Sequence, residues 1–238
     1  MAYKQFALDE QTPVTIYKRR ASRNLRLTVA PNGEVRVSIP AWAPYRAGLE
    51  FARSRRDWIA RQNRKHPLLL DGQAIGKAHR LRFVADPTAR KTSTRLRQNE
   101  IRVLHPAGMT PTDAEVQAAA QKAGVRALRQ EAERLLPKRL DQLAERHGFQ
   151  YRSVKIKQLK GRWGSCDQHA DIVLNLFLMQ LPWDCIDYVL LHELTHTRVL
   201  RHGPDFWRAM EAVLPDVKHL RQLVRRHQPL LQPTPAVA

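Results

Sequence analysis

The segment HELTHTRVLRH at positions 192–202 constrains the fold more than any other part of the sequence. On an α-helix, residues four positions apart lie about 40° apart around the axis and about 6 Å along it, so His192 and His196 present two imidazoles on one face. Glu193 follows the first histidine and places a carboxylate beside that pair. The spacing predicts a helix that can offer two nitrogen ligands to one metal ion.

His202 is the candidate third ligand, and its position requires the helix to end before it. On a continuing helix, the six residues after His196 would turn through about 600° and carry His202 to the wrong side. Gly203 and Pro204 follow, and a proline disfavours helical geometry in the residue before it. The spacing is that of HExxHxxGxxH proteases, but Val199 replaces their turn glycine. We therefore expect the helix to end by another route.

A catalytic zinc site has three protein ligands and an open fourth position. With His192, His196 and His202 as ligands, zinc would lower the pKa of a bound water to about 7, and Glu193 would accept its proton as the general base. Two other interpretations stay open at this point. The histidines could form local hydrogen bonds on a charged helix, or they could hold a metal ion without turnover.

The charge balance is strongly basic, because 41 Lys and Arg residues stand against 22 Asp and Glu residues, a formal net charge of +19. Nucleic acid or another polyanion is therefore a candidate partner of the basic surface, although ordinary solvated arginines give the same composition. The sequence has no signal-peptide pattern and no run of 18 apolar residues, which predicts a cytoplasmic protein without a membrane span. Cys166 and Cys185 predict reduced thiols rather than a disulfide.

The periodicity of apolar residues changes near residue 110. Apolar residues alternate over 13–40, around an expected hairpin turn at PNG (31–33), and a helical stripe follows at 44–65. Short strands are expected between 78 and 104. We predict an α+β fold with three parts: a mainly β subdomain with one helix at 1–110, a mainly helical core at 111–228, and a disordered tail at 229–238.

The C-terminal part is predicted to be helical apart from two strands, YRSVKIKQL and IVLNLFLM, around the loop KGRWGSCDQHAD. Thr112 starts a long helix, Pro137 kinks or divides it, and the glycine of HGF at 147–149 ends it. Asp184, with Asp187 three residues later, is expected to cap the helix that carries the histidines.

In combination, four motifs resemble the YgjP-like metallopeptidase family: RWGSC at 162–166, LNLFLM at 174–179, IDYVLLHELTH at 186–196 and HGPDFW at 202–207. That family is similar to the SprT-like and WLM-type zinc proteases, and the resemblance covers roughly residues 13–225. It implies a zincin-like core, zinc held by His192, His196 and His202, and Glu193 as the catalytic carboxylate. It also implies a protein or peptide substrate and places RWGSC beside the metal helix.

Arg162 and Asn175 are further candidates for substrate contact. Arg162 could donate to the oxyanion formed during hydrolysis, or it could pair with a nearby carboxylate. Asn175 could bind an extended peptide or orient a ligand, and capping its own strand is an equally natural role. Trp163 is expected in the core. Asp205 either orients a histidine or stabilises the first turn of its own helix.

A zinc-dependent metallopeptidase is the function that these residues favour. A second hypothesis keeps the metal but assigns it to hydrolysis of a nucleotide phosphoanhydride or phosphoester, which suits the basic charge. Against it, a phosphate-cradling glycine loop is absent, and three histidines suit zinc better than magnesium. A third hypothesis is a basic nucleic-acid-binding module with a structural zinc, whose fourth ligand would be Cys166.

Overall fold

The computed structural model describes residues 3–9, 12–19, 22–29, 35–64, 68–227 and 229–231. Contacts divide the chain into two compact units. The first contains the residues up to Leu69 together with Met109–Ala118, and the second contains Leu70–Gly108 and the described residues from Ala119 onward. The predicted α+β class is confirmed, but the units do not follow the predicted seam at residue 110, because residues 70–108 group with the C-terminal part.

Four strands form the sheet of the first unit: β1 (Tyr3–Asp9), β2 (Thr12–Arg19), β3 (Arg26–Val29) and β4 (Val35–Pro40). Their order is β1-β2-β4-β3, in which β2 and β4 are parallel and the two outer pairs antiparallel. The alternating apolar residues form one buried face, with Val14, Ile16, Val35, Val37 and Ile39 fully buried. The expected hairpin turn at 31–33 lies outside the described residues.

Two helices, α1 (Tyr45–Ser54) and α2 (Arg56–Arg64), pack on that sheet. The stretch predicted as one helix is therefore two, with Arg55 between them. A Cβ at Gly48 of α1 would stand 2.9 Å from a methyl group of Ile16 and 3.0 Å from one of Ile39. The missing side chain lets the helix lie close against the sheet.

The second unit begins with a small sheet of strands β5 (Ala74–Ile75), β6 (His79–Asp86), β7 (Ser93–Leu96) and β8 (Glu100–Pro106), in the order β5-β6-β8-β7. The long helix α3 (Ala114–His147) contacts it through Glu131, which accepts backbone hydrogen bonds from Lys77, Ala78 and His79. This buried contact joins segments 52–54 residues apart in sequence, and it explains why residues 70–108 group with the C-terminal part.

Helix α3 ends where the sequence predicts. It runs through Pro137, which does not divide it, and stops at His147. Gly148 has a φ of +67°, and the Phe149 N–H donates to the Ala144 carbonyl at 2.8 Å. A left-handed residue after the last helical turn is the conformation that glycine adopts most readily.

A second small sheet precedes the histidine helix, with strands β9 (Ser153–Lys157), β10 (Gly164–Cys166) and β11 (Asp171–Asn175) in the order β10-β11-β9. The run LFLM was expected to continue the last strand but forms a 3₁₀ helix, Leu176–Gln180. Asn175 starts it, because its side chain accepts a hydrogen bond from the Phe177 N–H at 3.2 Å.

Three helices complete the unit: α4 (Trp183–His196), α5 (Pro204–Val213) and α6 (Val217–Arg226). The predicted capping of α4 by Asp184 is wrong, because Pro182 occupies the cap position and no side chain caps the helix. Asp187 is bound instead by Arg139, whose Nε donates to it at 2.8 Å. Among the described residues, none of the helices combines the length and the apolar composition that a membrane span needs.

Residues 229–231 belong to the stretch predicted as a disordered tail, and for them the prediction is wrong. Leu231 is 3% exposed. Its N–H donates to Gln180 Oε1 at 2.8 Å, and its carbonyl accepts from Gln180 Nε2 at 3.0 Å. The side-chain amide of Gln180 thus satisfies both backbone polar groups of Leu231, as a neighbouring strand would. Residues 232–238 lie outside the described residues.

Candidate metal centre

Helix α4 carries His192, Glu193 and His196 on a buried element. Its apolar residues Ile186 and Leu194 are fully buried, and the rings of His192 and His196 lie 4.8 Å apart between centroids. Burial of a side chain such as leucine or isoleucine contributes about 1.5–3 kcal/mol, so packing rather than capping stabilises this helix. The i, i+4 spacing therefore places both imidazoles on one face, as predicted.

The helix ends directly after His196, although no glycine stands at position 199. The N–H groups of Arg198 and Val199 both bond to the carbonyl of Thr195 at 3.0 Å, which closes the last turn. Val199 does not have a positive φ, so the turn does not need glycine there. The Val199 carbonyl faces back to the site and lies 3.1 Å from His196 Nδ1. The departure from the protease pattern is thus accommodated by an ordinary backbone conformation.

The loop after α4 brings His202 back to the other two histidines. Its Nε2 lies 3.1 Å from Nε2 of His196 and 3.0 Å from Nε2 of His192. The three ligand atoms all lie within 4.8 Å of one another, and they form the one group of potential metal ligands found in the described part of the chain. Three nitrogens bound to one tetrahedral zinc at 2.0–2.1 Å would stand about 3.3 Å apart. The separations fit a shared cation.

The protonation state of the histidines also suits a metal ion. Since the Val199 carbonyl only accepts, Nδ1 of His196 carries the proton and Nε2 has a free lone pair. Burial, and then the charges of His196, His202 and Arg221, lower the pKa of His192 to about 3. Burial likewise lowers the pKa of His196. Neutral imidazoles are the form that binds metal.

Phe206 forms an apolar support for all three rings, and sequence reasoning did not single it out. The ring is fully buried, with centroids 4.9 Å from His192, 4.5 Å from His196 and 4.8 Å from His202. Its only sequence signal is its place in HGPDFW, two residues after the proline that opens α5. The rings are therefore held by packing as well as by hydrogen bonds, although His192 Nδ1 is buried without a partner among the described residues.

Glu193 is 5% exposed and has no hydrogen-bond donor among the described residues. Burial raises its pKa to about 8, and the charge of Arg162 acts in the opposite direction. A carboxylate with little solvent contact and no hydrogen-bond donor holds a proton more tightly than usual, which makes it a stronger base.

Gly164 explains how the Glu193 carboxylate fits beside strand β10. A Cβ at position 164 would stand 2.6 Å from Oε1 of Glu193 and 2.9 Å from its Cδ and Cγ. Real Cβ atoms do not make contacts that close, so any side chain here would displace the carboxylate or the strand. The RWGSC motif thus lies against the histidine helix through its glycine.

The remaining predicted site residues lie in different surroundings. Arg162 is exposed, and its guanidinium has no acidic partner within ion-pair distance among the described residues. Asn175 is 4% exposed, and its amide donates to the carbonyls of Leu159 and Arg162 at 3.1 and 2.8 Å. Those bonds, with its oxygen capping the 3₁₀ helix, leave no free group for substrate. The capping role accounts for Asn175, which also holds the loop that carries Arg162.

Asp205 and Cys166 stand apart from the histidines. Asp205 is exposed and paired with Arg208, so it orients no ligand ring. Cys166 Sγ lies 3.5 Å from the Asp167 carbonyl, and burial, followed by the charges of Glu193 and Asp167, raises its pKa to about 11. Metal binding by a cysteine needs the thiolate, which a raised pKa disfavours. Trp163 is half-buried.

Comparison with known proteins assigns the chain to a family. The model of the YgjP-like metallopeptidase domain matches residues 23–227. Among solved structures, the metallopeptidase zymogen of Pyrococcus abyssi abylysin is similar, with 24% identity and a TM-score of 0.36 over 41% of this chain and 99% of that chain. No curated protein matches the chain. The chain belongs to the YgjP-like family, and the family's metallopeptidase domain makes up most of its length.

Proposed function

We propose that this protein is a zinc-dependent peptidase whose metal ligands are His192, His196 and His202 and whose general base is Glu193. The observation that carries the proposal is the convergence of three Nε2 atoms, two of them on the helix that also carries the buried carboxylate of Glu193. Imidazole nitrogens suit zinc, whereas calcium and magnesium prefer oxygen ligands. When bound, zinc supplies a Lewis acid that polarises the substrate carbonyl and acidifies water.

Glu193 moves the proton in the proposed reaction. Its carboxylate accepts a proton from the attacking water and then donates it to the departing amine nitrogen. Burial gives the free carboxylate a pKa of about 8, and the pKa would fall back towards neutral pH if a dication were held by the three histidines. A group that gains and loses a proton near pH 7 can serve both steps.

Arg162 is the proposed donor to the developing oxyanion. It follows Gly161, which has a φ of +73°, and precedes strand β10 beside Glu193. Asn175 holds the backbone at this point through the Arg162 carbonyl. The guanidinium is free of an acidic partner among the described residues and can turn towards substrate.

The two other hypotheses have less support. The histidine group contains no fourth protein ligand in the described part of the chain, and Cys166 is not a member of it, which disfavours a closed structural zinc site. No contact among the described residues favours a nucleotide. The peptide bond remains the substrate that agrees with the family.

The decisive experiment compares the wild type with Glu193→Gln. Zinc content would be measured by mass spectrometry, and hydrolysis would be followed with unfolded, fluorescently labelled casein. We expect equal zinc in both proteins and a loss of about 100- to 10,000-fold in kcat for the variant, because the ligands remain and the base is lost. Glu145→Gln, at an exposed position of α3, is the matched control. Undiminished turnover in Glu193→Gln would refute the proposed role.

A further inference from the structure

Arg221 on helix α6 places a positive charge next to the histidine cluster. Its guanidinium carbon lies 4.2 Å from the centroid of the Trp207 ring. That indole in turn lies 6.1 Å from the His202 ring, nearly parallel to it, and 6.3 Å from the His192 ring. One aromatic ring therefore connects the guanidinium to two of the proposed metal ligands.

The N–H groups along the edge of the Arg221 guanidinium have no partner in the described part of the chain. Within the described residues, the guanidinium has no hydrogen-bond acceptor and no acidic group within ion-pair distance, although the side chain is half-buried. The comparably placed Arg139 is bound by Asp187 at 2.8 Å, and Arg152 is bound by Asp171 at 2.8 Å. Stacking on Trp207 occupies one face of the guanidinium and leaves its edge N–H groups free.

The charge and shape of this position fit a carboxylate. Arg225, one helical turn further along α6, adds a second positive charge on the same side, and both charges lower the pKa of Tyr188 against the effect of burial. A planar guanidinium that is already held by an indole binds a carboxylate through two parallel hydrogen bonds and loses little side-chain freedom in doing so. Every peptide presents at least one such group, at its C-terminus.

We infer that Arg221, stacked on Trp207, binds a carboxylate of the peptide substrate close to the bond that is cleaved. A peptide residue spans about 3.3–3.6 Å, and only the Trp207 indole separates the guanidinium from the histidines. The bound carboxylate therefore lies at most about three residues from the bond that is cleaved. The carboxylate is either the C-terminus of the peptide or the side chain of an Asp or Glu. This inference rests on the proposed peptidase function and names its substrate class.

The test uses binding to the zinc-loaded Glu193→Gln protein, which holds peptides without cleaving them. The probe is an N-terminally labelled hexapeptide library made in three forms: with a free C-terminus, with a C-terminal amide, and as an amide with one fixed Glu. Fluorescence anisotropy gives each Kd. We expect at least one carboxylate form to bind about 10- to 100-fold more tightly than the plain amide, as charge-assisted hydrogen bonds do.

Arg221→Gln should abolish that preference and leave the affinity for the plain amide unchanged when both proteins are compared fully loaded with zinc. Arg221→Lys keeps the charge but cannot donate two parallel hydrogen bonds from a planar group, so it should retain only part of the preference. Arg226→Gln, at an exposed position of the same helix, is the matched control and should behave like the parent. Preference for the free C-terminus alone identifies a carboxypeptidase-like site, and preference for the Glu-containing amide identifies an acidic side chain.

Two results overturn the inference, and they differ from failure of the proposed function. One is equal binding of all three peptide forms, and the other is a carboxylate preference that survives Arg221→Gln. If no form binds, no zinc is held and the wild type cleaves nothing, the proposed function fails and this inference with it.

Discussion

Two buried glutamates, Glu131 on α3 and Glu193 on α4, are similarly inaccessible and similarly placed against a glycine, but they differ in hydrogen bonding. Both are nearly inaccessible, at 2% and 5% exposure, and each carboxylate lies against a glycine, Gly76 or Gly164, where a Cβ would collide with it. Glu131 is bound by the N–H groups of residues 77–79 and by His79 Nδ1 at 2.6 Å. Glu193 has no donor among the described residues.

The difference shows what separates a buried carboxylate whose burial is compensated by hydrogen bonds from one whose burial is not, which is the kind that the proposed reaction needs. Hydrogen bonds to the carboxylate compensate the cost of removing it from water, and each protein group that donates one is satisfied at the same time. At Glu131 this compensation joins the β5–β8 sheet to the long helix. At Glu193 it is missing, so burial raises the pKa and leaves the lone pairs available for a proton. Burial alone therefore does not identify a catalytic glutamate.

The largest effect is expected for Glu131→Ala. This change leaves three N–H groups and the His79 ring without their partner, and it should lower the free energy of unfolding by about 3–5 kcal/mol, measured by urea denaturation. Glu133→Ala, exposed on the same helix, should change it by less than about 0.5 kcal/mol. Glu193→Gln should be nearly neutral, because it replaces a buried carboxyl group that has no hydrogen-bond donor among the described residues. An equal loss of unfolding free energy in the Glu131 and Glu193 variants would contradict this difference between the two carboxylates.

The next effect concerns the third histidine. His202→Ala removes one of three converging nitrogens, so zinc affinity should fall at least about 100-fold, more than losses of outer hydrogen-bond partners usually cause. Competition with a chromogenic chelator measures the Kd. His219→Ala, at an exposed position of α6, is the control. Unchanged affinity in His202→Ala would reject His202 as a metal ligand.

The smallest effect is expected for Gly164→Ala. The added methyl group would overlap the Glu193 carboxylate, and the overpacking should cost about 1–3 kcal/mol of stability. In a Glu193→Ala background the cost should largely disappear, which a double-mutant cycle detects independently of activity. Gly108→Ala, where a Cβ meets nothing within 4 Å, is the control. A cost that is the same in both backgrounds would show that the strand, not the carboxylate, limits residue 164.

Local patterns predicted several features correctly. The i, i+4 histidines share a helix face, Gly148 ends α3, and the alternation in 13–40 becomes a sheet with one buried face. These features depend on the backbone geometry of neighbouring residues, which sequence spacing reports directly. The predictions failed at Asp187 and Leu231 because the partners of these residues are distant in sequence. Arg139, which binds Asp187, lies 48 residues away, and Gln180, which binds Leu231, lies 51 residues away.

The order of residues in the chain is enough to specify the chemical components of the site: two imidazoles one helical turn apart, a carboxylate next to one of them in sequence, and a histidine placed before a helix-breaking Gly-Pro pair. Which of these residues meet other parts of the chain depends on the tertiary structure. Gly164 against Glu193, Phe206 beneath the imidazoles and Arg221 on Trp207 are packing contacts between separate elements. Such contacts depend on how whole helices and strands pack together, and no periodicity within one segment specifies them.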